Sequence, residues 1–80
     1  NLEKAFAAPS NAVELQLNQI WSAVLGIQSI GVKDNFFELG GHSLLAVQLF
    51  TQIETKFGKK LPLATLFQAP TIEQLANILG

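Results

Sequence analysis

The chain has 80 residues, a formal net charge of -1 and no cysteine. This length suffices for one domain with a small core, and the lack of cysteine excludes a disulfide framework and thiolate metal ligands. The basic residues are mostly scattered and no apolar run approaches the roughly 20 residues of a membrane-spanning helix, so we expect a cytoplasmic protein with neither a nucleic-acid nor a membrane partner.

The first part of the chain divides into a linker and an amphipathic helix. Residues 1–11 hold alanines, a proline and a serine without a sustained period, which predicts a linker that enters a domain over 12–80. Because the chain starts without methionine, we expect it to be a segment of a longer polypeptide. From Ala12 to Leu25 apolar residues recur with helical spacing, which predicts a helix that ends at Gly26.

A long connection follows over residues 27–42. It exceeds the roughly 2 to 8 residues usual between bundled helices, and its apolar residues predict a segment packed across the bundle. Phe36 and Phe37 are expected to anchor it to the core, and Asp34 is expected to cap or tie the loop. A simple crossover connection is the alternative.

The second predicted helix starts at Ser43, as its N-cap or first residue, and runs to Phe57 before Gly58. One broad apolar arc of this helix is assigned to the core: Leu45, Ala46, Leu49, Phe50, Ile53 and Phe57. Leu44 and Val47 fall on the other side, near Ser43. If exposed, they indicate a docking surface; the alternative is that the loop or the next segment covers them.

A short third helix is expected within the apolar segment Leu61–Ala69. Pro62 is suited to a first helical turn, and Leu63, Leu66 and Phe67 have helical spacing. Pro70 ends this helix, since proline cannot continue the hydrogen-bonding pattern.

The last predicted helix runs from Ile72 to about Leu79. Thr71 and Gln74 have the pattern of a capping box, in which each side chain bonds a backbone donor. No clean two-residue alternation indicates a strand. The expected fold is therefore all-α: a small four-helix bundle, with three main helices, a short third helix and a long loop between helices one and two.

The segment 34–44 carries a specific motif, D-N-F-F-E-L-G-G-H-S-L. It resembles the attachment signature D-x-F-F-x-L-G-G-H-S-L of the carrier (thiolation) domains of nonribosomal peptide synthetases, and every defined position matches. The resemblance covers nearly the whole chain, including the following segments: Ile20-Trp21, Val24-Leu25-Gly26, Leu61-Pro62-Leu63, Leu66-Phe67 and Pro70-Thr71. It implies an acyl-carrier-protein-like bundle in which Ser43 receives a 4′-phosphopantetheine arm, whose thiol holds aminoacyl or peptidyl groups as thioesters.

The same resemblance implies a set of partners and no catalytic residue. A phosphopantetheinyl transferase loads Ser43 from coenzyme A, an adenylation domain charges the thiol, and condensation or thioesterase domains take the product. Contacts with partners are assigned to His42, Leu44, Val47 and Phe67, and the excised domain is expected to be monomeric. For His42, the alternative is a solvent-exposed loop residue without a partner.

The local sequence around Ser43 is compatible with an attached anion. A helix start supplies unpaired backbone donors and a partial positive charge. The pair Gly40-Gly41 is expected to relieve steric limits on the backbone beside the hydroxyl and to leave room for a modifying enzyme.

Other chemistries fit the residues poorly. The segment after Ser43 lacks the second glycine of a G-x-S-x-G elbow, and neighbouring residues of a helix do not face each other, so His42 is badly placed as a base. The sequence shows neither a metal-ligand set nor the lysine of a nucleotide-binding Walker loop. Two alternatives stay open: a carrier of a polyketide or hybrid assembly line, and an unmodified helical interaction module.

Overall fold

A computed structural model describes residues 8–80 of the chain. They form four helices: α1, Ala12–Leu25; α2, Ser43–Phe57; α3, Ala64–Gln68; and α4, Ile72–Leu79. No strand occurs within this described part. The predicted all-α bundle with a short third helix is therefore confirmed. The predicted linker over 1–11 lies largely outside the described residues, and the boundary between linker and domain stays a prediction.

Both ends of α1 are capped, and its bounds agree with the prediction. Asn11 is the N-cap, and its Oδ1 accepts from the Glu14 N–H at 2.8 Å. The buried Glu14 carboxylate accepts from the backbone N–H of Ser10 at 2.8 Å and from its hydroxyl at 2.9 Å. At the other end, Gly26 has φ 69° and donates its N–H to the Ser22 carbonyl, as a left-handed C-cap does.

The core lies where α1 packs against both α2 and α4. Its members are Leu17, Ile20, Trp21, Ile30, Val32, Phe36, Ala46, Leu49, Phe50, Ile53, Leu66, Ala69, Ile72, Leu75, Ala76 and Leu79. Burial of each large apolar side chain among them stabilises the fold by about 1.5–3 kcal/mol. The predicted core arc of α2 is confirmed, with Leu45 and Phe57 packed at its partly buried edge.

The long loop is packed onto the bundle, as predicted. Phe36 is fully buried, and its N–H donates to the Pro70 carbonyl at 2.8 Å. The first turn of α4 donates an N–H to the Val32 carbonyl at 2.9 Å. Asp34 ties the loop internally, because its Oδ2 accepts from the Gly31 N–H at 2.9 Å. The loop is thus joined by backbone hydrogen bonds to the junction of α3 and α4.

The short helix α3 starts later than the sequence suggested. Pro62 precedes it rather than occupying its first turn, and the Pro62 carbonyl accepts from the Thr65 N–H at 2.9 Å in a tight turn. Leu63 is the N-cap without a side-chain hydrogen bond. The end agrees with the prediction: Ala69 leaves the helical region at φ -134° and ψ 71°, since a residue before proline disfavours the α conformation.

The capping box of α4 forms only in part. The Thr71 Oγ1 accepts from the Gln74 N–H at 3.2 Å, as predicted. The predicted reciprocal bond, in which the Gln74 side chain accepts from a backbone N–H, does not form. Instead the Thr71 hydroxyl donates to the Gln74 Oε1 at 3.0 Å, because a hydroxyl that accepts one bond still has a proton to donate.

Candidate functional site

Ser43 lies at the surface where the long loop enters α2. It is the first helical residue, and the N-cap is His42, which has an extended backbone and makes no side-chain capping bond. Both side chains are exposed. The backbone beside them is held, because the His42 carbonyl accepts from the Ala46 N–H at 2.8 Å. A group attached to Ser43 would therefore extend into solvent from a fixed point.

The start of α2 is electrostatically suited to an attached anion. The first N–H groups of a helix lack intrahelical partners and carry a partial positive charge. At this helix start no acidic residue lies in the first turn and no side chain caps the end. A phosphodiester on Ser43 would thus place its negative charge beside backbone donors without a side-chain competitor, so the residues present fit such a group.

The two glycines before His42 are needed for different reasons. Gly40 has φ +101° with open space around it. Glycine is therefore required at this position because of its backbone conformation. Gly41 has no positive φ. A Cβ on Gly41 would overlap the Cδ2 and Cε2 atoms of Phe36 and would lie 2.7 Å from the Phe36 carbonyl oxygen. Periodicity alone carries no signal for this close approach, which depends on where the folded loop returns to the core.

The residues assigned to partner contacts present apolar surface. Leu44 is 63% exposed, Val47 45% and Phe67 70%. Neither the loop nor the next segment covers the first two, so that alternative is excluded. Phe67 stacks on the partly buried ring of Phe37 in the loop. The structure therefore leaves all three side chains accessible to another protein, and His42 is exposed beside them.

A shallow cleft of about 150 Å³ continues this surface between α2 and the segment that leads to α3. Its lining residues are Val47, Phe50, Thr51, Glu54, Lys60, Leu61 and Leu63. Leu63 is 41% exposed and immediately precedes α3 as its N-cap. The cleft is smaller than the roughly 300–1,000 Å³ of typical small-molecule pockets.

The described residues do not assemble a metal centre. Within 8–80, no group of three His, Cys, Asp or Glu side chains is placed to hold a metal ion. The buried carboxylate of Glu14 is engaged by Ser10 at the far end of α1. None of the helices in this range is long and apolar enough to cross a bilayer. What the surface around Ser43 offers is an accessible hydroxyl, a helix start and neighbouring apolar side chains.

Comparison with known proteins gives a family match over the region that contains Ser43. The family described as "Phosphopantetheine attachment site" matches residues 16–79. Tyrocidine synthase 3 of Brevibacillus parabrevis is 54% identical over 72 residues, which cover 90% of this chain and 1% of that synthase. Gramicidin S synthase 2 of Brevibacillus brevis is 50% identical over 75 residues, 94% of this chain and 2% of the synthase. The chain thus spans only 1–2% of the length of these curated relatives.

A solved structure has the same fold. It is a chain from the complex of the phosphopantetheine transferase Sfp with coenzyme A and a peptidyl carrier protein, and it superposes with a TM-score of 0.90 at 46% identity. The match covers 92% of this chain and 96% of that chain. The correspondence therefore extends over a complete structural unit of the solved protein.

Proposed function

Because this chain belongs to the phosphopantetheine attachment family, as a peptidyl carrier domain of the nonribosomal peptide synthetase type, we propose that Ser43 is its attachment residue. The observation that carries this assignment is the exposed hydroxyl of Ser43 at the first position of α2, within the attachment signature. When bound, 4′-phosphopantetheine supplies a thiol that holds aminoacyl or peptidyl groups as thioesters.

In the loading reaction, Ser43 acts as the nucleophile toward coenzyme A. Its Oγ forms a bond to the phosphorus that bears pantetheine, while the bond from that phosphorus to the adenosine-side phosphate oxygen breaks and adenosine 3′,5′-bisphosphate leaves. A serine hydroxyl is a weak nucleophile that needs an adjacent base, and no hydrogen bond joins His42 to Ser43 within the described residues. The base therefore comes from the transferase, and the proposed domain is itself non-catalytic.

The proposed role of α2 is to hold the attached phosphodiester. The unpartnered backbone N–H groups of its first turn carry a partial positive charge at the helix end where Ser43 lies, and this favours negative charge there. No acidic residue lies in that turn to oppose it. An arm attached to Ser43 would thus be held at a fixed backbone position and would extend from it into solvent.

The partner surface proposed for this carrier is apolar. It consists of Leu44, Val47 and Phe67, with His42 beside the attachment point. Because the net charge of the chain is only -1, docking relies on apolar contacts more than on long-range electrostatic steering. The partners proposed are the phosphopantetheinyl transferase and the adenylation, condensation and thioesterase domains of a synthetase. A monomeric state, domain limits of 12–80 and a cytoplasmic location, where coenzyme A is available, belong to the same proposal.

Intact-protein mass spectrometry tests the assignment. The chain is incubated with coenzyme A and a broad-specificity phosphopantetheinyl transferase, beside Ser43→Ala and the control Ser22→Ala, which removes a hydroxyl from α1. One phosphopantetheine is expected on the parent chain and on Ser22→Ala, and none on Ser43→Ala. Addition to Ser43→Ala would refute the attachment residue. No addition to the folded parent chain would favour the unmodified interaction module instead.

A further inference from the structure

The ring of Phe36 and the backbone of Gly41 are in direct contact just before Ser43. We propose that these two are positioning residues: the buried ring sets where residues 41–43 enter α2, and thereby holds Ser43 in the orientation that the transferase needs. The inference rests on the proposed role of Ser43 as the attachment residue. It concerns how the chain presents that hydroxyl, which neither the signature nor the helix start explains.

The Phe36 ring is held by its surroundings. It is fully buried, and Trp21 of α1 packs edge-on against it with ring centroids 5.1 Å apart. Phe37 packs against it in a second edge-on contact at 5.5 Å. The backbone N–H of Phe36 donates to the Pro70 carbonyl at 2.8 Å. The ring therefore cannot move aside without disturbing α1 or the junction of α3 and α4, because packed interiors leave few voids.

Gly41 completes the contact from the other side. It donates its N–H to the Phe36 carbonyl at 3.0 Å, and a Cβ at this position would overlap the Phe36 ring. The backbone of Gly41 does not have positive φ, so alanine would be acceptable there apart from that overlap. The constraint at position 41 is therefore steric.

A side chain at position 41 has to displace one of two neighbours. Phe36 is enclosed by the core, whereas His42 and Ser43 are exposed. The exposed segment is therefore the one that yields, and Ser43 moves with it. Displacing a reacting group by about 1 Å can lower a rate by about 100-fold, so a small shift of the hydroxyl is enough to slow loading.

The test compares Gly41→Ala with Gly58→Ala. Gly58 follows α2 at its opposite end, has φ +68° and has open space around it, so alanine there strains the backbone without a clash. Both variants are checked for folding by circular dichroism, and kcat and KM for loading from coenzyme A are measured by intact mass. We expect kcat for Gly41→Ala to fall about tenfold or more, with KM little changed because the docking side chains are intact. Gly58→Ala should load at the parent rate.

A second substitution, at Phe36, distinguishes a positioning role of the Phe36–Gly41 contact from a general loss of structure in Gly41→Ala. In Phe36→Leu the smaller side chain relieves the overlap with the ring, whereas the 2.7 Å approach of a Cβ at position 41 to the residue 36 carbonyl oxygen remains. The rescue should therefore be partial: Gly41→Ala should lower kcat less in the Phe36→Leu background than in the parent, but should still lower it. An equal loss in both backgrounds, or loading of folded Gly41→Ala at the parent rate, overturns the proposal.

If Gly41→Ala does not fold, amide hydrogen exchange in Phe36→Leu tests the positioning role instead. The N–H groups of Gly41 and Ala46, which donate to the Phe36 and His42 carbonyls, should exchange faster than in the parent chain, while that of Leu75 in α4 should not change. Unchanged exchange at Gly41 and Ala46 would contradict the proposal. Loading of Ser43→Ala is a separate result, which would refute the proposed function and leave the packing of Phe36 against Gly41 untouched.

Discussion

The ring of Phe67 lies flat against the ring of Phe37, with centroids 5.3 Å apart and an interplanar angle of 12°. Phe67 belongs to α3 and is 70% exposed, whereas Phe37 belongs to the long loop before Ser43. The stack therefore joins the exposed face of α3 to the loop that leads to Ser43. It also fixes the orientation of an aromatic ring that would otherwise rotate freely in solvent.

Replacing Phe67 with alanine is expected to weaken docking of partner domains while the fold is kept. The side chain is mostly outside the core, and an aromatic pair of this kind stabilises the fold by about 0.5–1.5 kcal/mol. An aromatic residue near the centre of an interface commonly contributes about 1–2 kcal/mol or more, so KM for charging by an adenylation domain should rise about fivefold or more.

Leu15→Ala is the matched control for Phe67→Ala. Leu15 is a 50% exposed apolar residue of α1, outside the proposed docking surface. Its substitution should leave KM near the parent value. Equal effects of the two substitutions, with both variants folded, would contradict an assignment of docking to α3.

Val47→Asp tests the α2 side of the same surface. Val47 is 45% exposed and lines the cleft beside α2, so an aspartate there should be tolerated by the fold but should place a charge in an apolar contact. Burying such a charge without a partner costs several kcal/mol. Loading and discharge should both slow, and stopped-time mass analysis of the loaded fraction measures this directly. Gln48→Asp adds the same charge at the next, exposed position of α2 and should react at the parent rate.

Several helix ends could be predicted from the sequence because local residues determine them. Gly26 and Gly58 stop α1 and α2 in the left-handed conformation that glycine adopts most easily. Thr71 starts α4, and its hydroxyl oxygen accepts a hydrogen bond from the N–H of Gln74, the third residue of the helix. The helical spacing of apolar residues likewise identified the core face of α2, since burial follows that period.

The parts that the sequence did not predict depend on contacts between distant segments. α3 has only 5 residues, so a period of 3.6 residues cannot separate its buried face from its exposed one, and Leu63 was assigned no role at the surface. The packing of Phe36 against Gly41 requires the loop to fold back on itself. At the candidate site, the signature predicts Ser43 as the attachment residue, whereas the steric reason for Gly41 is visible only in the structure.

Loss of the Glu14 carboxylate should destabilise the domain without affecting the attachment site. Glu14 is 6% exposed and accepts two hydrogen bonds from Ser10, which tie the chain to the start of α1. Hydrogen bonds to a charged group contribute about 1.5–3 kcal/mol, so Glu14→Ala should lower the free energy of unfolding by roughly that amount in urea titration. Glu14→Gln keeps an acceptor oxygen and should lose less. The loading rate of folded Glu14→Ala should equal that of the parent chain.

The last prediction concerns the start of α4, where Thr71 serves as N-cap. Its Oγ1 accepts from the Gln74 N–H and its hydroxyl proton is donated to the Gln74 Oε1, so Thr71→Ala removes both bonds. Because N-cap substitutions of this kind cost about 0.5–2 kcal/mol, the free energy of unfolding should fall by about 1 kcal/mol. Thr71→Ser retains the hydroxyl and should stay within a few tenths of a kcal/mol of the parent. Gln74→Ala tests the second bond alone, and a loss as large as that of Thr71→Ala would show that the contact between the two side chains, rather than the backbone cap, stabilises this helix start.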